Sequence, residues 1–259
     1  MAEVDEVITV NRSVATILAE RLGRPDIHVV YNCPARSAGS RRGSPLRRAI
    51  GLGRSTPLVL YHGSLAPHRG VDELLEAVQR PELADVHLAF LGFGALFERL
   101  RAEARSERYG GRVHVFAAVP PDQLPAWLSG VDVAVAPIQA STLNHRNSSP
   151  NKVFEAIAAG TPVAGSDFPE FRRVINDPDY GPLGTLFDPS RPEEIAAAIR
   201  GILDLPPGER AMLRRRCRRA AERRWNWESE SRKLIDLYGT FTRESSAAVF
   251  ANRVEVGAA

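Results

Sequence analysis

The chain alternates short apolar segments with amphipathic segments from Leu58 onward, and this alternation constrains its fold more than any other feature. Residues 58–61 (LVLY) are continuously apolar, and residues 71–80 repeat apolar side chains at helical spacing. Apolar strands that alternate with helices form parallel sheets, in which right-handed crossover helices cover both faces. We therefore predict a doubly wound α/β domain with a parallel sheet over residues 57–225.

The other predicted elements follow from the same periodicity and from turn residues. Further strands are predicted at residues 86–91, 113–116, 131–136, 162–165 and 183–187. Helices are predicted at residues 71–80, 96–104, 121–128, 150–159, 169–175, 192–203, 209–224 and 227–241. A small αβ piece is predicted at residues 1–34, with strands at 7–10 and 28–31 around a helix at 13–22. The remaining predictions are a linker at residues 35–56, a terminal helix at 226–243 and a flexible tail at 244–259.

Composition narrows the class of protein. The chain has 259 residues, of which 44% are hydrophobic and 25% charged, as in ordinary globular proteins. Its two cysteines, Cys33 and Cys217, exclude a disulfide scaffold and have no metal-ligand spacing. No apolar run reaches the ~18 residues of a membrane-spanning helix. The acidic start of the chain is unlike a secretory signal, so we expect a cytoplasmic protein.

Basic charge is concentrated in two arginine-rich segments. Residues 36–54 contain six arginines and no acid, and residues 210–224 contain eight arginines and one acid, Glu222. Such segments are typical of a solvated helix face, and they can also contact an anionic membrane surface. We predict no nucleic-acid partner, because no zinc motif and no interleaved aromatic residues accompany the charge. Contact of residues 210–224 with the inner face of a membrane stays open as an alternative.

In a doubly wound sheet, ligands bind at the loops that follow the carboxyl ends of the strands. In the first such loop, Gly63 allows a ligand to approach the backbone, and Arg69 precedes a helix where its guanidinium suits a phosphate. In the second loop, Gly92 begins a glycine pattern like a dinucleotide fingerprint. The pattern is incomplete, because position 97 is Phe and no acid ends a following strand. Backbone contact between Gly92 and a ligand is the better interpretation.

The strongest signal is the loop and helix start at residues 147–160. Ser148 or Ser149 is expected to cap the helix, with proline in its first position. At about 100° per residue, Lys152 and Glu155 share one face of this helix, opposite an apolar face. The free amides at its start form a ready anion site. The alternative is an exposed Lys–Glu pair without a ligand.

These segments together resemble the nucleotide-binding half of retaining GT-B glycosyltransferases of the family 4 type. The resemblance rests on several motifs in the family's order: LVLYHGSLAPHRGVDELLEAV, LAFLGFG, VHVFAAVPPDQLPAWLSGVDVAVAP, SPNKVFEAIAAGTPVAGSDFPE and WNWESESRKLIDLYG. It covers most of the chain, from about Val7 to Phe241. It implies a Rossmann-like half that binds a nucleotide-sugar, with no metal or other cofactor required.

The resemblance also implies roles for individual residues. Glu155 matches the second glutamate of the family's E-x7-E motif, which holds the ribose of the donor. Arg69 matches the family's diphosphate-binding lysine, and Lys152 begins the helix that meets the diphosphate, so these two are the predicted catalytic cations. The other implied donor-binding positions are Gly63, Val119, Asn151 and Val153.

Two positions depart from the family pattern. Asn147 replaces the first glutamate of E-x7-E, which normally contacts the sugar, so the sugar and the retaining outcome are open. Ser64 replaces the arginine that normally follows the glycine of the first loop. We still predict that both side chains border the donor.

The resemblance implies that these residues hold only the last αβ piece of the family's acceptor-binding domain. It therefore leaves three interpretations of the chain. It is either a glycosyltransferase present mainly as its donor-binding half, acting on a polysaccharide or lipid-linked glycan, or an inactive nucleotide-sugar-binding module. A nucleotide-sugar epimerase is a third interpretation. The apolar side of the last helix, at Trp227 and Ile235, is expected to be bare or covered by a chain that supplies the missing domain.

Overall fold

The computed structural model describes residues 4–36 and 44–240. Its main feature is a sheet of six parallel strands. Ten strands are found in the described residues: β1 Val7–Thr9, β2 Ile27–Val29, β3 Leu58–Ser64, β4 His87–Phe93, β5 Val113–Ala117, β6 Val133–Ala136, β7 Val163–Ser166, β8 Asn176–Asp177, β9 Gly181–Pro182 and β10 Gly184–Phe187. The main sheet has the order β10-β7-β6-β3-β4-β5. The predicted doubly wound parallel sheet is therefore confirmed.

Helices connect these strands and cover the sheet. They are α1 Arg12–Leu22, α2 Pro45–Ile50, α3 Val71–Ala77, α4 Phe97–Glu103, α5 Leu124–Ser129, α6 Leu143–Arg146, α7 Asn151–Ala158, α8 Pro169–Ile175, α9 Pro192–Leu203, α10 Pro207–Arg223 and α11 at 227–240. Short 3-10 turns lie at Pro81–Leu83 and Glu107–Tyr109.

The strands are apolar on both faces because helices cover both faces. On β3, Leu58 and Leu60 pack in one core cluster with Leu128 of α5, whereas Val59 and Tyr61 pack in a larger cluster with residues of α3 and α9. Burial on both faces explains why the strands appear in the sequence as continuous apolar runs rather than as alternating ones.

The prediction of a linker at residues 35–56 is wrong for residues 45–50. Residues 45–50 form α2, which Ser44 caps through its hydroxyl, and Leu46 is completely buried. The Arg47 guanidinium is also buried, and it donates to the carbonyl oxygens of Gly130, Gly53 and Thr56 and to Asp132. Partners that are distant in sequence thus turn a polar segment into part of the domain. Residues 37–43 of the predicted linker lie outside the described residues.

The N-terminal αβ piece packs on the main domain. Its strands β1 and β2 pair in parallel, and Asn11 and Gly23 cap α1 at its two ends. Glu170, at the start of α8, is completely buried. It accepts hydrogen bonds from the amide and hydroxyl of Ser13 and from the Tyr31 hydroxyl. These bonds attach the piece to the sheet domain.

The N-terminal piece and α11 both present apolar side chains to solvent. Ile8 is 39% exposed, Trp227 39% and Ile235 68%. The expected exposure of the apolar side of the last helix is therefore confirmed. The predicted tail at residues 244–259 lies outside the described residues.

Candidate functional site

The candidate site lies beside β3, where the chain stops adding strands on one side of the sheet and starts adding them on the other. The strands after β3 in the chain, β4 and β5, extend the sheet on one side, whereas β6, β7 and β10 extend it on the other. Doubly wound sheets bind ligands in the crevice at this point, outside the carboxyl ends of the strands. Gly63 and Ser64 end β3 at that edge, and α7 begins there after the loop that follows β6.

The start of α7 has no side-chain cap. Pro150 is the N-cap residue, with extended backbone, and the helix begins at Asn151. The expected serine cap is wrong, because Pro150 and not a serine is the N-cap residue; Ser148 donates to the His145 carbonyl, and Ser149 accepts from Asn11. An uncapped helix start leaves amide donors and the positive end of the helix dipole for an anion.

Lys152 brings a buried cation to this helix start. Its ammonium lies 3.7 Å from the centroid of the Tyr61 ring and has no hydrogen-bond partner among the described residues. It also lies above Gly63, since a side chain at that glycine would meet Lys152 Nζ at 3.8 Å. Burial, and next the charge of Arg69, lower the pKa of Lys152 to about 7, against the raising effect of Glu155. The site therefore contains a titratable amino group that lacks a counter-ion at hydrogen-bond distance within residues 4–36 and 44–240.

Glu155 faces the same region one turn further along α7. Its Oε2 lies 2.9 Å from Nε2 of His62, and its side chain is 29% exposed. The opposite face of α7 is buried through Val153, Phe154 and Ile157, so the predicted amphipathic helix is confirmed. His62, which is 3% exposed, is not among the residues predicted from the sequence. The signal that could have identified it is a lone polar residue within the apolar strand β3.

The glycines of the first two loops allow backbones to pack closely. Gly63 has a φ of +104°, which a residue with a side chain rarely adopts. A Cβ at Gly92 would overlap the Gly63 carbonyl oxygen, and one at Gly70 would overlap the Pro137 carbonyl oxygen. Gly92 thus has a packing role at the end of β4, and its contact with a ligand stays a prediction.

The remaining predicted residues surround this centre. Arg69 is partly exposed, and its charge acts on the pKa of Lys152. Asn147 ends α6 and donates its side-chain amide to the Leu143 carbonyl. The Val153 amide donates to the Pro150 carbonyl, so Asn151 and Lys152 offer the better amides for a ligand.

Val119 lies beyond the end of β5, partly buried against the core cluster that contains Leu46 and Leu128. Its strand is at the edge of the sheet, two strands from β3. The structure thus joins Gly63, Lys152 and Glu155 at the centre and places Val119 at the periphery.

Comparison with known sequences assigns the chain to a family. Residues 45–224 match the profile of the family described as glycosyl transferases group 1. The chain belongs to this family. A D-inositol 3-phosphate glycosyltransferase of Xylanimonas cellulosilytica is 30% identical over 234 residues, which are 85% of this chain and 53% of that protein. A phosphatidyl-myo-inositol mannosyltransferase of Mycobacterium tuberculosis is 30% identical over 199 residues, covering 74% of this chain and 50% of that protein.

The chain also resembles solved structures in its fold. Sucrose-phosphate synthase from Thermosynechococcus elongatus superimposes with a TM-score of 0.73 at 20% identity, covering 93% of this chain and 59% of that one. Anabaena HepE in complex with UDP and glucose superimposes with a TM-score of 0.70 at 17% identity. The match covers 91% of this chain and 63% of that one. These similarities support the prediction that the chain has the fold of one half of a GT-B structure. The chain spans about half the length of the two sequence relatives.

Two further observations concern the described residues alone. Each helix there is too short or too polar to cross a lipid bilayer. No group of three or more His, Cys, Asp or Glu side chains is placed there to hold a metal ion.

Proposed function

We propose that this protein binds a nucleoside-diphosphate sugar at the start of α7 and acts as the donor-binding half of a glycosyltransferase. The observation that supports this most directly is the Lys152 ammonium, which is buried without a hydrogen-bond partner in the described chain. Burying an unpaired cation is costly, so such a group is typical of a binding site whose anion is supplied by the ligand. The uncapped helix start and Arg69 add to the same positive region.

The proposed chemistry is electrostatic. When the bond between sugar and diphosphate breaks, negative charge develops on the leaving phosphate oxygens. Lys152, Arg69 and the amides of Asn151 and Lys152 would stabilise that charge, and preorganised donors of this kind are usually the largest catalytic contribution. Glu155 would accept hydrogen bonds from the ribose hydroxyls. We propose that these cations serve without a metal ion.

The resemblance to family 4 enzymes supports a more specific proposal for the type of reaction. A family 4 enzyme with retention of anomeric configuration is the proposed type, with a polysaccharide or lipid-linked glycan as acceptor. Asn147 lies beside the start of α7 and would border the sugar. The relatives named for inositol substrates share the family, and their acceptors are not assigned to this chain.

Calorimetry with UDP, GDP and ADP tests the site. Lys152 and Lys233 are the only lysines in the chain, and Lys233 pairs with Glu230 on α11. Lys152→Ala should weaken diphosphate binding about 10- to 100-fold, as expected for loss of a charge-assisted bond worth about 1.5–3 kcal/mol. The matched control Lys233→Ala should bind as the wild type does. Equal affinity in the wild type and Lys152→Ala would contradict the proposed site.

The exposed apolar face of the N-terminal piece and α11 favours a partner. We propose that the acceptor-binding half of the enzyme covers it, whether in the same chain or another, because the relatives are about twice as long as the matched region. In the isolated chain these exposed apolar side chains should promote self-association, so Ile235→Asp should reduce it in sedimentation experiments, and Asp236→Ala on the same helix is the matched control. Without such a partner, the second candidate function is a nucleotide-sugar-binding module that transfers nothing. Sugar release from UDP-glucose by the chain alone would contradict that module.

We also propose a cytoplasmic location with α10 at the inner face of a membrane. The support comes from exposed arginines such as Arg215 and Arg219; Arg214 and Arg224 instead have partners within the fold. Co-sedimentation with phosphatidylglycerol vesicles at low salt should detect binding, and Arg215→Ser with Arg219→Ser should reduce it. No binding by the wild type would contradict membrane contact.

A further inference from the structure

The side chain of His62 has one hydrogen-bond partner among the described residues, the Glu155 carboxylate. The imidazole is buried under the site in β3, and its Nδ1 has no partner in the described chain. Burial is the main cause that lowers the pKa of His62, and it outweighs the raising effect of the hydrogen bond and charge of Glu155. The ring is therefore neutral near pH 7. Since a carboxylate only accepts, Nε2 must carry the proton and donate it to Glu155 Oε2.

This bond determines what Glu155 can offer a ligand. A partly exposed glutamate has several accessible rotamers, and a hydrogen bond from a rigid, buried ring selects one of them. With Oε2 engaged by His62, the second oxygen Oε1 remains for the hydroxyls of a ribose. The ring is fixed in turn by strand β3, which is buried between layers of helices.

We propose that His62 is a positioning residue that holds the Glu155 carboxylate in the orientation that recognises ribose. This inference rests on the proposed function, because it assigns the ribose of a nucleoside diphosphate to Glu155. It adds that discrimination between ribose and deoxyribose depends on a side chain that does not itself reach the ligand.

Substitutions at His62 separate positioning from packing. Glutamine can place its side-chain NH₂ near the position of Nε2, whereas asparagine reaches only to the position of Nδ1. Both variants bury one amide, so they form a matched pair that differs in reach. Leucine removes the donor and keeps an apolar group of comparable size.

The experiment measures binding of UDP, GDP and ADP and of their 2′-deoxy counterparts by calorimetry. For the nucleotide that the wild type binds most tightly, we expect preference for ribose to fall about 10-fold in His62→Asn and His62→Leu. The loss should affect only the ribose form, and His62→Gln should restore most of it. An equal loss for both sugars, or equal behaviour of the Gln and Asn variants, would overturn the positioning role.

Two results distinguish this inference from the proposed function. If the wild type binds none of the three nucleotides, the proposed function and the inference fail together. If the wild type binds and Glu155→Gln lowers affinity but His62→Asn does not, only the inference fails. Nitrogen NMR of the ring should show the Nε2–H tautomer in the wild type, and a mainly Nδ1–H ring would overturn the proposed bond without any nucleotide.

Discussion

Affinity for a nucleoside diphosphate should fall as the pH rises through 7, because Lys152 loses its proton in the free protein. Burial is the largest cause that lowers the pKa of its ammonium to about 7, and Arg69 adds to the effect. A bound diphosphate favours the charged form and raises that pKa. The ligand thus binds the protonated protein better, so binding takes up a proton at high pH and almost none at low pH.

The size of the effect follows from the pKa. With a pKa of about 7, the protonated fraction of free Lys152 is roughly 0.9 at pH 6 and roughly 0.1 at pH 8. Affinity should therefore fall about 10-fold between these values, which corresponds to about 1.4 kcal/mol. Proton uptake per bound nucleotide should rise from roughly 0.1 at pH 6 to roughly 0.9 at pH 8.

Calorimetry in two buffers of different ionisation enthalpy measures this uptake directly. Lys152→Arg is the control, because a guanidinium keeps its charge throughout this range. The ionisation of the nucleotide is common to both proteins and cancels in their comparison. If the wild type and Lys152→Arg take up the same number of protons at pH 8, then Lys152 is either already charged in the free protein or remote from the diphosphate.

Three further predictions concern the framework of the site. Glu170→Ala should lower the free energy of unfolding by about 2–3 kcal/mol in urea titrations, because it leaves the Tyr31 hydroxyl and the Ser13 donors unpaired; Glu209→Ala, at an exposed position on α10, should change it by less than about 0.5 kcal/mol. Tyr61→Leu should weaken diphosphate binding about 10-fold at pH 7 through loss of the ring beneath the ammonium, whereas Tyr61→Phe keeps the ring and should bind normally; equal loss in both variants would contradict this reason. Gly70→Ala should lower the unfolding free energy by about 2 kcal/mol in the same titrations, because its φ of +73° is strained for alanine and the new Cβ meets the Pro137 carbonyl; wild-type stability would contradict the packing.

Much of the fold could be predicted because it depends on local patterns. A strand that is buried on both faces must be apolar throughout, so the run at Leu58–Tyr61 stands out in the sequence itself. Helix α7 could be predicted for a related reason, since its buried and polar faces separate at helical spacing. The face shared by Lys152 and Glu155 follows from that spacing alone.

Other features depend on partners distant in sequence, and local patterns do not show them. Helix α2 lies in a segment rich in arginine, and what brings it into the fold is the burial of Arg47 against carbonyl groups and Asp132 from other parts of the chain. His62 is similar, because its role depends on Glu155, 93 residues later. The prediction of a serine cap is wrong for a local reason, since the helix begins one residue later than the pattern indicates, with Pro150 at the N-cap.

Residues outside the family profile also shape the candidate site, and Asn11 is the first of them. Asn11 donates to the Asn147 carbonyl at 2.9 Å and to Ser149 at 3.2 Å, and so holds the loop that leads into α7. Asn32 donates to the side chain of Asn151, the first residue of that helix. The profile begins at residue 45, so these contacts come from outside the matched region. The N-terminal piece is therefore part of the structure that orients the start of α7, and binding measurements require the chain with this piece attached.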